Sequence, residues 1–291
     1  MNSYYDIIII GGGASGMIAA IKAAERNKRV LLVEKNQVLG RKVLASGNGR
    51  CNLLNHKQRI YYGDPVFANT VLDNCSADRL ILFFRNYGLL VNEEDDGRMY
   101  PVTYHSSSVV SAFKKALAIQ HVDLSVNTLI TEVYRENDLF HVISADGKSF
   151  SSSGLIVACG GSAQPKLGGT EDGYRILNRF GHTIIPAHPS LVPLVTDKKS
   201  ISGLSGIRVR CSLSVIASSK VLYRTTGEML FCEYGISGIC AMQCSRFLYH
   251  PDVFIEVDFI QNLFPEEDSL LYELKRRRSV FQDQSPVSLL E

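Results

Sequence analysis

The sequence predicts an α/β chain, with a parallel-sheet domain over residues 1–187 and a β-rich domain over residues 188–291. Three observations predict it. Residues 5–10, 14–26 and 29–34 read as strand, helix and strand within about 30 residues, a β-α-β unit that implies a parallel pair with a right-handed crossover. A glycine cluster, Gly11-Gly12-Gly13-Ala14-Ser15-Gly16, sits where the first strand feeds the helix. From His188 the character changes to short alternating segments.

The elements follow in order. The first strand is a β-branched run, Ile7 to Ile10, ended by glycine. The helix over 14–26 carries alanines and apolar residues at helical spacing, and the second strand reads Arg29-Val30-Leu31-Leu32-Val33-Glu34. Residues 36–56, rich in Gly, Asn, Arg and Lys, read as a long functional loop. Periodicity predicts helices over 76–87 and 106–120, then strand-like alternation over 122–146 with Asp146-Gly147 as a hairpin turn. An apolar strand over 154–159, a loop from Gly160 to about residue 172 and a helix over 173–180 complete the first domain. In the second, 192–196, 207–217 and 220–224 read as antiparallel strands and 235–249 as a helix.

Bulk properties narrow the function classes. With 291 residues, 45% hydrophobic and 21% charged, the chain has an ordinary globular composition and can bury a sizeable core. A formal net charge of +2 argues against nucleic acid or an anionic membrane as the main partner. The one dense basic run, Lys275-Arg276-Arg277-Arg278, reads as a solvated helix end. The seven cysteines are odd in number, widely spread and without a CxxC, so reduced thiols are expected rather than a disulfide framework. Cys240 and Cys244 have no histidine at zinc-site spacing, and no metal is expected. No stretch reaches the roughly 18 apolar residues of a membrane span. Asp6 before the first apolar run does not fit a signal peptide. A cytoplasmic location is expected.

The chemistry concentrates at the glycine cluster. Gly11, Gly13 and Gly16 satisfy GxGxxG: one glycine for the tight turn, one for close approach of a pyrophosphate, one for close packing of helix on strand. The helix start offers unpaired N–H groups and a positive dipole end to phosphate. Glu34 follows Gly16 by 18 residues, near the spacing at which an acid meets a ribose. Its carboxylate would repel a 2′-phosphate, so the site suits FAD or NAD rather than NADP. Further on, Gly40-Arg41-Lys42 and Ser46-Gly47-Asn48-Gly49-Arg50-Cys51-Asn52 combine cations with a backbone free to take positive φ. Residues 155–161 form a strand ending in Gly160-Gly161 that suits a return to the nucleotide site.

These segments together resemble the HI0933-like family of bacterial flavoproteins, which includes proteins called aminoacetone oxidases and one linked to bile-acid dehydroxylation. The matching stretches are Gly11–Ala20, Gly40–Asn55, Gly97–Ser107, Ala158–Tyr174, His188–Leu194 and Gly227–Met242. The resemblance implies FAD bound across a Rossmann-like domain, an inserted β-rich second domain and a helical third one. The family's Ala-Thr-Gly-Gly reads Ala158-Cys159-Gly160-Gly161 here, and cysteine is small enough to fit. The family also closes its flavin site with a late segment reading roughly FAGE…D…GGYN. No such segment occurs, so the chain is expected to be a fragment or a truncated product that holds the flavin ring less firmly.

On this reading Gly11, Gly13, Ala14, Ser15 and Gly16 cradle the pyrophosphate, and Glu34, flanked by Lys35, holds the adenosine ribose. Arg41, Lys42, Ser46, Gly47, Asn48, Gly49, Arg50 and Asn52 line the path to the flavin. Ala158, Gly160 and Gly161 pack near the cofactor, and related folds place the backbone of Val133 at the adenine. Arg98, Tyr100, Tyr104, His105, Tyr234 and Cys51 are candidates for chemistry whose expected roles are structural. No catalytic side chain is assigned. The expected function is an FAD-dependent oxidoreductase transferring a hydride between flavin and a small organic substrate or NAD(P)H, without nucleic-acid or membrane partners. Two rivals stand beside it. An NAD-dependent dehydrogenase is opposed by the Gly40–Asn55 loop. A truncated, non-catalytic dinucleotide-binding or interaction protein is to be separated from the enzyme by turnover.

Overall fold

The computed structural model describes residues 3–57, 60–249, 252–260, 264 and 266–280. Two units divide the chain, Met1–Ile184 and Ile185–Glu291. In the first, the order is β1 (Ser3–Ile10), α1 (Ala14–Ala24), β2 (Val30–Val33), α2 (Arg41–Ala45), β3 (Leu54–Asn55), α3 (Pro65–Asn74), α4 (Ala77–Asn86), β4 (Val91–Glu93), β5 (Arg98–Pro101), α5 (Ser106–Ile119), β6 (Asp123–Ser125), β7 (Ile130–Glu136), β8 (Leu139–Ser144), β9 (Ser149–Val157) and α6 (Asp172–Arg179).

The main sheet runs β6-β2-β1-β9-β8-β7. Its β6, β2, β1 and β9 are parallel, while β8 and β7 fold back as an antiparallel meander. Because successive side chains point to opposite faces and both faces are packed, β1 from Ile7 to Ile10 and all of β2 are apolar without alternation. Ile9, Val30 and Leu32 face one core with Met17, Ala20 and Ile21 of α1 and Val109, Phe113 and Leu117 of α5. Ile8, Ile10, Leu31 and Val33 face the other, with Val133 and Val142 of the meander. Both faces are thus covered, as a parallel sheet requires. The β7–β8 turn, Asn137-Asp138, has both residues at positive φ (49° and 62°), which matches the twist of a tight hairpin. The expected hairpin turn at Asp146-Gly147 joins β8 to β9. A small separate sheet has the order β3-β5-β4.

In the second unit β10 (Leu194–Val195), β11 (Arg208–Ala217), β12 (Lys220–Cys232), β13 (Gly235–Ser237), α7 (Ile239–Cys244), β14 (Val253–Asp258) and α8 (Glu267–Val280) follow one another. The strands form an antiparallel sheet ordered β10-β13-β12-β11-β14. Its core sets Cys211, Leu213, Val215, Met229 and Phe231 against Cys240, Ala241 and Cys244 of α7. No helix among the described residues is long and apolar enough to cross a membrane.

Several elements differ from expectation. The helix expected over 235–249 is instead the strand β13, then α7 and a 3-10 turn at Ser245–Phe247. Gly238 causes the break: its φ is 93°, and a Cβ there would lie 3.0 Å from Met229 Cα and closer still to the Glu228 carbonyl. The strand expected over 220–224 continues to Cys232, because Thr225 to Glu228 alternate while pairing with Arg210 to Leu213. The loop expected over 36–56 contains α2, a 3-10 turn at Ser46–Gly49 and β3. Helix α3 was not expected, although its start is marked by Pro65 at the first turn and by Asp64, which accepts from Phe67 N at 2.9 Å.

Candidate cofactor site

Strand ends meet at the glycine loop. Gly11 N donates to Val33 O at 2.8 Å, and Ala158 N donates to Ile10 O at 2.8 Å, so β1, β2 and β9 terminate side by side. The three glycines have separable jobs. Gly11 sits at φ 114°, which an L side chain resists, and a Cβ there would press on the Ala158 carbonyl. A Cβ at Gly16 would run into the Gly11 carbonyl oxygen and lie 3.3 Å from the Ala158 methyl. A Cβ at Gly13 would meet no atom within 4 Å. The turn, the helix–strand contact and an open approach over the loop are therefore each assigned to one glycine.

Above this loop, within the first unit, lies a cavity of about 590 Å³, a volume ordinary for a ligand site. It is walled by the glycine loop, by Glu34 to Asn36, by Arg41 and Lys42, and by Ala158 to Gly160. Apolar side chains, Ile18, Phe84, Val109 and Phe113 among them, also line it.

Glu34 is only 8% exposed, and such a buried charge must be hydrogen-bonded. Its Oε2 accepts from Gly12 N at 2.7 Å, and its Oε1 accepts from Asn36 N at 2.8 Å and from Asn36 Nδ2. The carboxylate thus faces the glycine loop and has acceptor capacity left for a ligand hydroxyl. Replacing Glu34 by Ala removes this acceptor and leaves Gly12 N–H unpaired. Dinucleotide affinity is expected to fall by about 1–3 kcal/mol, measured by titration; unchanged affinity would refute the ribose assignment.

Lys35 Nζ lies 3.7 Å from Asp172. The Thr170 hydrogen bond, with Arg175 and Lys35 nearby, holds the Asp172 carboxyl below its usual range. Arg41 donates to Asn36 Oδ1 at 2.9 Å and to Lys166 O at 3.1 Å, and Lys42 Nζ donates to Gly161 O at 3.1 Å. Burial pushes the Cys159 thiol up to about 11, so the residue behaves as a small neutral side chain, its Sγ 3.5 Å from Ile10 O.

The cavity wall includes Gly11, Gly13, Ala14, Ser15, Glu34, Lys35, Arg41, Lys42, Ser46, Asn52, Ala158 and Gly160 from the expected set. The other expected residues are placed elsewhere. Gly16 lies beneath the loop, as its packing role requires. Gly161 is beside the wall, with its carbonyl taken by Lys42. Gly47, Asn48 and Gly49 take left-handed φ of 55°, 53° and 84° and shape the loop without lining the cavity. Arg50 turns away to the small sheet, 2.6 Å from Glu94 and stacked 4.4 Å from Tyr100 and 4.5 Å from Tyr104. Val133 is a 4% exposed core residue; the chain entering β7 meets the cavity earlier, at Thr128, Leu129 and Ile130.

Sequence reasoning missed Asn36, Thr170 and Asp172, which line the cavity. Only Asn36 carried a signal, its place two residues after the acid that ends β2. Cys51 also lines the cavity, and burial pushes its thiol up, which disfavours a redox thiolate. Tyr234, in the second unit, is exposed, and its hydroxyl is pushed up by a hydrogen bond with Cys232.

A family model described as the HI0933-like protein Rossmann domain matches residues 5–243. The chain belongs to that family. It is 36% identical over 265 residues to a 3-dehydro-bile acid delta(4,6)-reductase of Clostridium scindens, covering 88% of this chain and 64% of that protein. It is 29% identical over 277 residues to a ribosomal RNA dihydrouridine synthase of Haemophilus influenzae, covering 92% of this chain and 67% of that protein. The chain therefore spans about two thirds of the length of these curated relatives. Among solved structures, the open conformation of a flavocytochrome c3 fumarate reductase aligns over 71% of this chain and 47% of its own, at 16% identity and a TM-score of 0.49. FAD is the cofactor of this Rossmann domain. The residues present fit it: a loop whose middle glycine leaves room for a pyrophosphate, next to a fixed carboxylate that suits a ribose.

Proposed function

We propose that the chain is the FAD-holding part of an oxidoreductase that moves a hydride between flavin and NAD(P)H or a small organic substrate. The observation that carries this reading is the open loop at Gly13 joined by hydrogen bond to Glu34 through Gly12. When bound, FAD supplies the two-electron chemistry. The chain's own residues bind and orient. Amides from Gly13 to Ser15 at the start of α1 would face the pyrophosphate, Glu34 would accept from ribose hydroxyls and disfavour a 2′-phosphate, and Arg41 and Lys42 bring positive charge to the same wall. The apolar part of the cavity lining, including Phe84 and Phe113, disfavours water.

The 36% identical relative supports a substrate with an unsaturated carbonyl, handled in the cytoplasm, where the seven free thiols stay reduced. The ribosomal RNA dihydrouridine synthase relative favours a second reading, reduction of a uracil base in RNA. One experiment tests both. The purified chain is titrated with FAD, then given NADH or NADPH with an unsaturated ketone or with a uridine-containing RNA. Binding that shows absorbance near about 450 nm, followed by bleaching and turnover of the ketone, is expected. Dihydrouridine formation would move the assignment to RNA. Failure to bind FAD, or binding without turnover of any substrate, would overturn the enzyme reading.

A further inference from the structure

We propose that Asn36 is the positioning residue of the FAD site, the joint that fixes both the ribose-facing carboxylate and Arg41, one of the wall's three cations. The inference rests on the FAD reading above and adds to it a residue that does not itself need to touch the cofactor.

The side-chain amide of Asn36 is engaged on two sides. Its Nδ2 donates to Glu34 Oε1, its Oδ1 accepts from Arg41 Nη1 at 2.9 Å, and Gly168 leaves it room on a third side, where a Cβ would fall 2.9 Å from Nδ2 and 3.5 Å from Oδ1. Only one amide orientation satisfies an acid on one side and a guanidinium on the other. The backbone is fixed as well: Asn36 N donates to Glu34 Oε1 at 2.8 Å, and Asn36 O accepts from Asn127 N at 3.1 Å. Glu34 therefore cannot turn its carboxylate without losing two donors from one residue. Arg41 is held in line by the same amide while its other nitrogen reaches Lys166 O at 3.1 Å. A charged group held in this way loses little freedom when a ligand arrives, which is the advantage of a preorganised site.

The isosteric change Asn36→Asp separates positioning from packing. It keeps the size and the acceptor for Arg41, and it replaces the donor to Glu34 with a second carboxylate. The charged groups facing this point are Glu34 from β2, Arg41 from α2, and Lys35, which is paired with Asp172 of α6 at 3.7 Å. Two carboxyls in contact share a proton as pH falls, and the shared proton restores the missing donor.

The test is FAD titration of the wild-type chain and of Asn36→Asp at pH 8 and pH 5, followed by flavin fluorescence, with circular dichroism as the check on folding. Relative to wild type at each pH, Asn36→Asp should bind at least ~10-fold more weakly at pH 8 and recover to within ~3-fold at pH 5. Asn36→Ser, whose hydroxyl is too short to reach both partners, should be weaker at both pH values without recovery. It decides the matter alone if Asn36→Asp does not fold. Wild-type affinity in either variant at pH 8, or an Asn36→Asp deficit that persists unchanged at pH 5, would overturn the proposal. If the wild-type chain itself does not bind FAD, the underlying reading fails instead, and the two failures are told apart by that first titration.

Discussion

Gly13→Val should yield a folded protein that no longer binds FAD. Added side-chain atoms at this position meet nothing of the protein within 4 Å of the Cβ, and Gly13 already has extended backbone angles (φ −78°, ψ −172°) that valine adopts readily. Folding has no reason to suffer. The new isopropyl group instead fills the approach over the amides of the loop, where a pyrophosphate must come close. Affinity should fall at least ~100-fold, about 2.7 kcal/mol, while the thermal midpoint of the protein without cofactor stays within about 2 °C of wild type. Retained yellow colour in purified Gly13→Val would remove the glycine loop from the site. A collapse in stability would show that the approach is not open.

Three residues along, the smallest possible change should have the opposite signature. In an ordinary helical turn, glycine to alanine stabilises by about 1 kcal/mol. At Gly16 the added methyl collides with the Gly11 carbonyl oxygen and crowds the Ala158 methyl at 3.3 Å. Both partners belong to strand ends locked by hydrogen bonds, Gly11 to Val33 and Ala158 to Ile10, so neither can yield cheaply. Overpacking of this kind costs about 1–3 kcal/mol and here outweighs the helical gain. With a net cost of about 1–2 kcal/mol, Gly16→Ala is expected to lower the thermal midpoint by roughly 2–8 °C even without cofactor. A midpoint equal to or above wild type would mean that α1 does not rest on β1 as closely as described.

The contrast between these two glycines shows what was legible in the sequence. GxGxxG, the flanking strands and Glu34 assign the roles of Gly11, Gly13 and Gly16 before any coordinates, because each role is a local steric demand on the backbone. The apolar runs of β1 and β2 were legible for a similar reason: a strand covered on both faces has no polar alternation. Arg50 and Val133 were not. Whether Arg50 points to a phosphate or to Glu94 depends on where β4 and β5 lie, and that is fixed by contacts distant along the chain. Val133 depends on the register of β7, which sets the chain's approach to the cavity at Thr128 to Ile130. The helix expected over 235–249 failed because a single glycine, Gly238, is drawn against Glu228 by the pairing of β12 with β13. Asn36 lay in view beside Glu34, and only the two-sided hydrogen bonding of its amide reveals its use.

The pairing of β1 with β9 has a consequence for how the molecule is made. Ile10 and its partner Val157 are far apart along the chain, whereas β1 meets β2 almost at once. At a ribosomal rate of ~5–20 residues per second, the open edge of the Ile7-to-Ile10 strand waits roughly seven to thirty seconds for its second neighbour. During that interval the nascent polypeptide presents an unpaired isoleucine edge of the kind that templates aggregation. A period of edge exposure during synthesis is therefore built into the order in which this sheet is written.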